Sequence, residues 1–215
     1  MKSVSGMKKI FNWFKNYFYY YKFRVIIVLI VAAIAGFAVF HVATREKYDY
    51  SVYLCISKTA MSEFNHSIEA SLAQFGEDIN GDGKVNVQVI DLSYDFSDPK
   101  SQNALSKTTL LGGELSSGGH YIFLYDDRYY EKTLTEMFEC QEGLTEHDGT
   151  AAMLSGDALE YIKAGLTAVN FDPESVPEMY ISLRKAPDEN SKQMSVYTAE
   201  KKLFSNIVGN KPTTK

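Results

Sequence analysis

Three short clusters in this chain of 215 residues carry groups that could do chemistry. The first is Asp78-Ile79-Asn80-Gly81-Asp82-Gly83-Lys84-Val85-Asn86. Side-chain oxygens at alternate positions, from Asp78, Asn80 and Asp82, can converge on one calcium ion, with Gly83 allowing the tight turn that follows. Lys84 would add a backbone carbonyl and Asn86 a side chain. Asn-Gly and Asp-Gly are also ordinary turn chemistry between a helix and a strand, so a metal-free turn is the competing reading. The second cluster, Asp126-Asp127, closes the apolar run Tyr121–Tyr125. Acids there either meet a ligand at a strand end or cap the next helix. The third, Ser57-Lys58-Thr59, follows the apolar run after Tyr50 and lies at the same edge if both runs are parallel strands. Ser57 and Thr59 then contact a ligand or oxyanion, or start a helix.

Nothing else in the chain supplies catalytic machinery. His41, His66, His120 and His147 share no ligand spacing, and His147, between Glu146 and Asp148, reads as a solvated loop residue. No G-x-S-x-G, H-E-x-x-H or G-x-G-x-x-G occurs, and the expectation is a non-catalytic protein. Cys55 sits in an apolar run and Cys140 in a polar one. The two either pair, as an exported domain permits, or stay as a buried and a free thiol.

The elements that must position these clusters alternate. Tyr50–Ser57 is rich in β-formers. Met61, Phe64, Ile68, Leu72 and Phe75 form one helical face ending at Gly76, with Thr59 as the cap. Val85–Leu92 reads as a second strand. Asp98-Pro99 opens a helix with Ala104, Leu105, Thr108, Leu111 and Leu115 inward, stopped by Gly118-Gly119. Tyr121–Tyr125 is a strand covered on both faces, and a helix is predicted from about Arg128 to Glu139. Gln141–Gly149 reads as a loop and Gly156–Val169 as a helix with Leu159, Ile162 and Leu166 on one side. Glu178–Arg184 reads as a strand and Thr198–Val208 as a helix. The expected fold is α/β, a mostly parallel sheet with helices on both faces in three layers.

All of this hangs from one apolar run. Val25–Ala43 contains no charge, and as a helix it spans about 28 Å, close to one hydrocarbon core. Residues 1–44 hold six basic residues and no acid, whereas the rest holds 16 basic against 27 acidic residues, net −11. The positive-inside rule places the head in the cytoplasm and the body outside the cell membrane, with the chain crossing once. Ala33-Ile34-Ala35 has the form of a signal-peptidase site, but apolar residues continue past it, so the run is read as an uncleaved anchor. Trp13, Phe14, Tyr17, Phe18, Tyr19, Tyr20 and Tyr21, interleaved with Lys, suit a helix extension in the headgroups or a protein-binding head. The expected organisation is a head over 1–24, a transmembrane helix over 25–43, a connector over 44–49, a domain over 50–210 and a disordered tail over 211–215. The acidic body repels phosphate backbones, which excludes nucleic-acid binding.

Two resemblances add to this reading. Asp78–Asn86 resembles the first part of the calcium loop of EF-hand and dockerin modules, which begin D-x-N-x-D-G. The resemblance implies a structural calcium, although the twelfth position is Val89 rather than a bidentate Glu. Tyr50–Tyr130, through YSVYLCIS, VNVQVIDL and ALSKTTLLGGELSSGGHYIFLYDD, resembles one lobe of an extracellular solute-binding protein. That implies ligand binding at the strand ends, with Ser57, Thr59, Asp126 and Asp127 as candidates. The other expectation is a structural subunit whose body docks on another protein of a membrane or envelope complex.

Overall fold

The computed structural model describes residues 3–43, 47–134, 137–140, 144–168, 177–189 and 191–213. It divides into two compact units, Met1–Glu46 and Lys47–Lys215. Parts of five expectations fall outside the described residues: 1–2 of the head, 44–46 of the connector, 135–136 of the helix after Asp127, Val169 at a helix end and 214–215 of the tail. So do 141–143 of the polar loop.

The first unit is a single helix, α1 (Ser3–Ala43), of 41 residues. Its segment Tyr21–Phe40 has mean hydropathy 2.7, long and apolar enough to cross a membrane. The basic head continues the same helix rather than forming a separate element.

The second unit is built on a five-stranded sheet: β1 (Tyr50–Cys55), β2 (Val87–Asp91), β3 (Ile122–Tyr125), β4 (Ala151–Met153) and β5 (Tyr180–Leu183), in the order β2-β1-β3-β5-β4. β1 lies parallel to β2 and β3, as expected. β5 is antiparallel to both β3 and β4, so the sheet is mixed, not mostly parallel. The physical reason lies in the two partners between which β5 is inserted. β5 enters at the end where β4 finishes, so that Met153 pairs with Tyr180, and leaves beside the start of β3, where Leu183 pairs with Ile122. β4 was not foreseen, because three residues are too few to show alternation.

Alternate strand residues feed two separate cores. Val52, Leu54, Ile122, Leu124, Ile181 and Leu183 pack with α2 (Ser62–Ala73), α5 (Gly156–Ala168) and α6 (Met194–Val208). Tyr53, Cys55, Phe123, Tyr125 and Tyr180 pack with α3 (Gln102–Ser117) and with the short α4 (Asp127–Tyr129), which runs into a π turn at Tyr130–Leu134. Gly76 is required where α2 hands over to β2. A Cβ there would sit 2.7 Å from Val85 Cγ1 and 2.8 Å from Tyr50 Cε2.

Local details differ from expectation for identifiable reasons. α2 starts at Ser62 behind Met61, with no side-chain cap, so Thr59 is not the cap. α3 is capped by Ser101, whose Oγ accepts from Ala104 N at 3.2 Å. Asp98 is used one turn earlier, its carbonyl accepting from Ser101 N. Leu105 points outward, 59% exposed, while Ala104 and Leu111 face the sheet. Ala158, not Leu159, heads the buried side of α5. The helix after Asp127 passes into π turns at Tyr130 and is described as far as Leu134, and Phe138 forms a bridge with Arg184. α6 begins four residues earlier than Thr198. The tail is tied down as far as Thr213, whose N–H donates to Gln74 O at 2.8 Å. Cys55 is buried and Cys140 exposed, and both are free thiols, so no disulfide joins them.

Candidate functional site

β1 and β3 end side by side, with Cys55 opposite Tyr125. Beyond them opens a cleft of about 600 Å³, and Ser57, Thr59, Asp126 and Asp127 all line it. This is the edge at which ligands approach an open α/β sheet. Ile56, Met61, Phe64 and Pro177 supply an apolar wall, while Lys58, Arg128 and Glu178 add charges of both signs. The reversed β5 is what completes the cleft, since its entry brings Pro177 and Glu178 to the ends of β1 and β3.

Within the cleft, Asp126 is structural. Its Oδ2 accepts from Ser57 N at 2.8 Å and from Ser57 Oγ at 2.6 Å, and its Oδ1 accepts from Tyr129 N at 2.9 Å. One buried carboxylate thus ties the end of β1 to the start of α4. The capping reading of the acidic pair holds for Asp126, while Asp127 and Thr59 stand exposed on the cleft wall.

Asp127 has partners that sequence reasoning missed. Its Oδ1 lies 3.2 Å from His147 Nε2, and its Oδ2 accepts from Tyr180 Oη at 3.4 Å. The His147 contact is an ion-pair distance without hydrogen-bond alignment, since Nε2 is buried with no hydrogen-bond partner. His147 is not a solvated loop residue. Its ring lies 4.0 Å from that of Tyr130 and 4.6 Å from that of Tyr180, centroid to centroid. His147 and Asp148 both adopt positive φ, 47° and 58°, to place it there. Non-glycine residues take that conformation only when surrounding packing holds them. The weak sequence signal was Asp148-Gly149, a turn able to aim a side chain inward. Burial raises the Tyr180 hydroxyl above its ordinary pKa, with the neighbouring Asp127 carboxylate acting in the same direction.

The first cluster lies elsewhere, between α2 and β2, and closes on itself. Asp78 Oδ1 accepts from Gly81 N at 2.6 Å and its Oδ2 from Gly83 N at 2.8 Å. Asn80 Oδ1 accepts from Asp82 N, and Asp82 Oδ1 from Lys84 N, both at 2.9 Å. Gly81 and Gly83 take φ of 74° and 85°, which the turn requires. Asn86 Nδ2 donates instead to Lys47 O. Asp49, read only as connector, pins the whole loop: Oδ1 accepts from Ile79 N and Asn80 N, and Oδ2 from Asn86 N. Asp78, Asn80 and Asp82 are the residues that could hold calcium, with the Lys84 carbonyl. Among the described residues, no three His, Cys, Asp or Glu side chains group to hold a metal.

No family model matches the chain, and neither a curated protein nor a solved structure matches it. The function must therefore be argued from the cleft itself.

Proposed function

We propose that this chain is a membrane-anchored, non-catalytic three-layer α/β domain, held outside the cell membrane, that binds a small ligand at the end of β1 and β3. The observation carrying this reading is the cleft of about 600 Å³ that gathers Ser57, Thr59, Asp126 and Asp127. Its size and mixed lining, apolar wall with a few convergent polar groups, are those of small-molecule sites. The resemblance to one lobe of a solute-binding protein points the same way. The non-catalytic part is supported by how Ser57 and Asp126 are engaged: each holds the other, and Tyr129 N takes the second carboxylate oxygen. Orientation is supported by six basic residues and no acid before position 45.

Docking onto a membrane-complex partner is the weaker reading. The exposed large apolar side chains of the body, among them Leu105, Leu110, Met153, Tyr161 and Val196, are spread over α3, β4, α5 and α6. Singly scattered apolar residues are ordinary surface. The Asp78–Asn86 turn is braced by its own N–H groups, and a calcium there would be structural and no part of the cleft.

The test uses the full chain in detergent against a library of small polar metabolites, read by thermal shift. A ligand should raise Tm, and Thr59→Trp, which fills the cleft from an exposed position, should abolish the shift while leaving the unliganded Tm unchanged. A shift that survives Thr59→Trp places binding elsewhere and overturns the proposal. Protease added to intact cells should remove the body; full protection would reverse the orientation.

A further inference from the structure

The cleft occupies one end of the sheet, and the other end carries a second cavity of different charge. β5 enters the sheet beside the cleft, after Pro177 and Glu178, and leaves it at the opposite end. There Arg184 follows the last strand residue, and its N–H donates to Tyr121 O at 2.8 Å, at the start of β3. A cavity of about 410 Å³ opens at this end, with Leu115, Tyr121, Met137, Arg184, Lys185 and Gln193 in its wall. Among the described residues its lining holds two basic side chains and no acid, although the body as a whole is strongly acidic. The cleft, by contrast, mixes Lys58 and Arg128 with Asp126, Asp127 and Glu178.

Arg184 sits where the sheet calls for a buried side chain. Tyr180, Ser182 and Arg184 share one face of the same extended stretch, and the first two are buried. The Arg184 Nη2 donates to Leu115 O, near the end of α3, at 2.8 Å. A cation at a helix C-terminus is an ordinary structural use, but it accounts for Nη2 alone. Nη1 is buried and has no hydrogen-bond partner. Among the described residues no carboxylate forms an ion pair with this guanidinium. The acids that α3 and α6 turn toward this end are engaged by other donors. Glu114 accepts from Tyr53 Oη at 2.7 Å, and Glu200 accepts from Tyr121 N at 2.6 Å and lies 3.0 Å from His120 Nδ1. A buried charged donor without a partner is costlier than a neutral one, and an anion from outside the chain supplies what the fold does not.

The remaining wall narrows the kind of anion. Leu115 and Met137 bring apolar surface to the same cavity as the guanidinium. Tyr121 Oη donates to Gln193 Oε1 at a long 3.4 Å, while Gln193 is fixed by its Nε2, which donates to Ser117 O at 2.7 Å. Inorganic phosphate would meet the charge and leave the apolar wall uncovered. A planar guanidinium beside an apolar wall suits a carboxylate head on an apolar body. We infer that this cavity is a second binding site, separate from the cleft, for a small organic carboxylate, with its head on the Arg184 guanidinium and its body against Leu115 and Met137.

The full chain in detergent is titrated with hexanoate, phenylacetate and benzoate and read by thermal shift. Hexylamine serves as the probe of opposite charge and inorganic phosphate as the anion without an apolar body. At least one carboxylate should raise Tm saturably, and hexylamine and phosphate should not. Arg184→Gln should weaken that binding about tenfold or more. Because Arg184 also holds Leu115 O, this variant loosens α3 as well. Ala186→Glu, at an exposed position of the cavity wall, adds an acid without touching that bond. It should remove the response and leave the unliganded Tm unchanged. Thr59→Trp, in the cleft, should leave the response intact. A carboxylate shift that survives Thr59→Trp and is lost in Ala186→Glu belongs to this cavity, and the cleft is then judged on the ligands that Thr59→Trp blocks. No response to any of the three carboxylates would overturn the inference, as would a response shared by hexylamine or one that survives Ala186→Glu. Phosphate binding as strong as that of the carboxylates would overturn the organic acid in favour of an inorganic anion. Loss of the response in Thr59→Trp would move the ligand into the cleft and overturn the second site.

Discussion

The two faces of the sheet solve one problem with different materials. One face is aliphatic: Val52, Leu54, Ile122, Leu124, Ile181 and Leu183 meet three full helices. The other is aromatic: Tyr53, Phe123, Tyr125 and Tyr180 meet α3, Phe138 and the short turn that carries Tyr129 and Tyr130. Aliphatic packing needs only volume and helical spacing, so it tolerates small errors of placement. Tyrosine brings a hydroxyl inside, and each must find a partner. Tyr53 donates to Glu114 Oε2 at 2.7 Å, Tyr129 donates to Leu92 O at 3.1 Å, and Tyr125 and Ser182 share a hydrogen bond of 2.6 Å. The aromatic face is therefore the more specific of the two. It is also the face that receives His147, and through Asp127 it reaches the cleft.

Alkaline pH should separate the two faces most strongly. Burial holds the hydroxyls of Tyr53, Tyr125 and Tyr129 well above the ordinary value of 10.0. Tyr197, on the aliphatic side, is pushed up to about 12 by burial and by its hydrogen bond to Glu139. A raised folded-state pKa means that the unfolded chain releases its proton first. Stability is full below pH 10 and falls as pH rises through 12, by about 1.4 kcal/mol per pH unit for each such tyrosine. Circular dichroism melts from pH 9 to 12 should show a steep fall, with near-ultraviolet tyrosine signals lost along with the fold. A flat profile would mean that the hydroxyls are solvated.

Truncation on the aliphatic face comes next. Leu124→Ala, in a fully buried site, should cost about 3 kcal/mol in denaturant unfolding. Tyr125→Phe removes one hydroxyl from the aromatic face and should cost about 1 to 1.5 kcal/mol. Ser182 Oγ keeps its bond to Thr150 O, which limits the loss. Equal costs for the two would erase the distinction drawn between the faces. Thiol labelling probes the same contrast without mutation. Cys140 should react at once in the native protein, whereas Cys55, buried on the aromatic face with its thiol pKa raised by burial, should react only on unfolding. The smallest effect is expected from metal: Tm should be the same in millimolar calcium and in chelator, because the loop oxygens already accept from the loop's own N–H groups. A calcium-dependent rise in Tm would assign Asp78, Asn80 and Asp82 to metal.

Read alone, the amino-acid sequence determined the membrane-length helix, the existence of β1, β2, β3 and β5, the inward face of α2, and the edge at which Ser57, Thr59, Asp126 and Asp127 meet. Each of these is a local pattern: an uncharged run, a period of two or of 3.6, acids at a strand end. Tertiary structure decided the rest. The direction of β5 depends on its pairing with β3 and β4, strands distant in sequence, which no short window encodes. Ser101 rather than Asp98 caps α3 because Asp98 is committed to the preceding turn. His147 looks solvated between two acids until Tyr130 and Tyr180, distant in sequence, close around it. Asp49 becomes the anchor of a loop about thirty residues away for the same reason. Hydrogen-bond and ring partners are chosen by proximity in space, and proximity is settled only when both cores have packed.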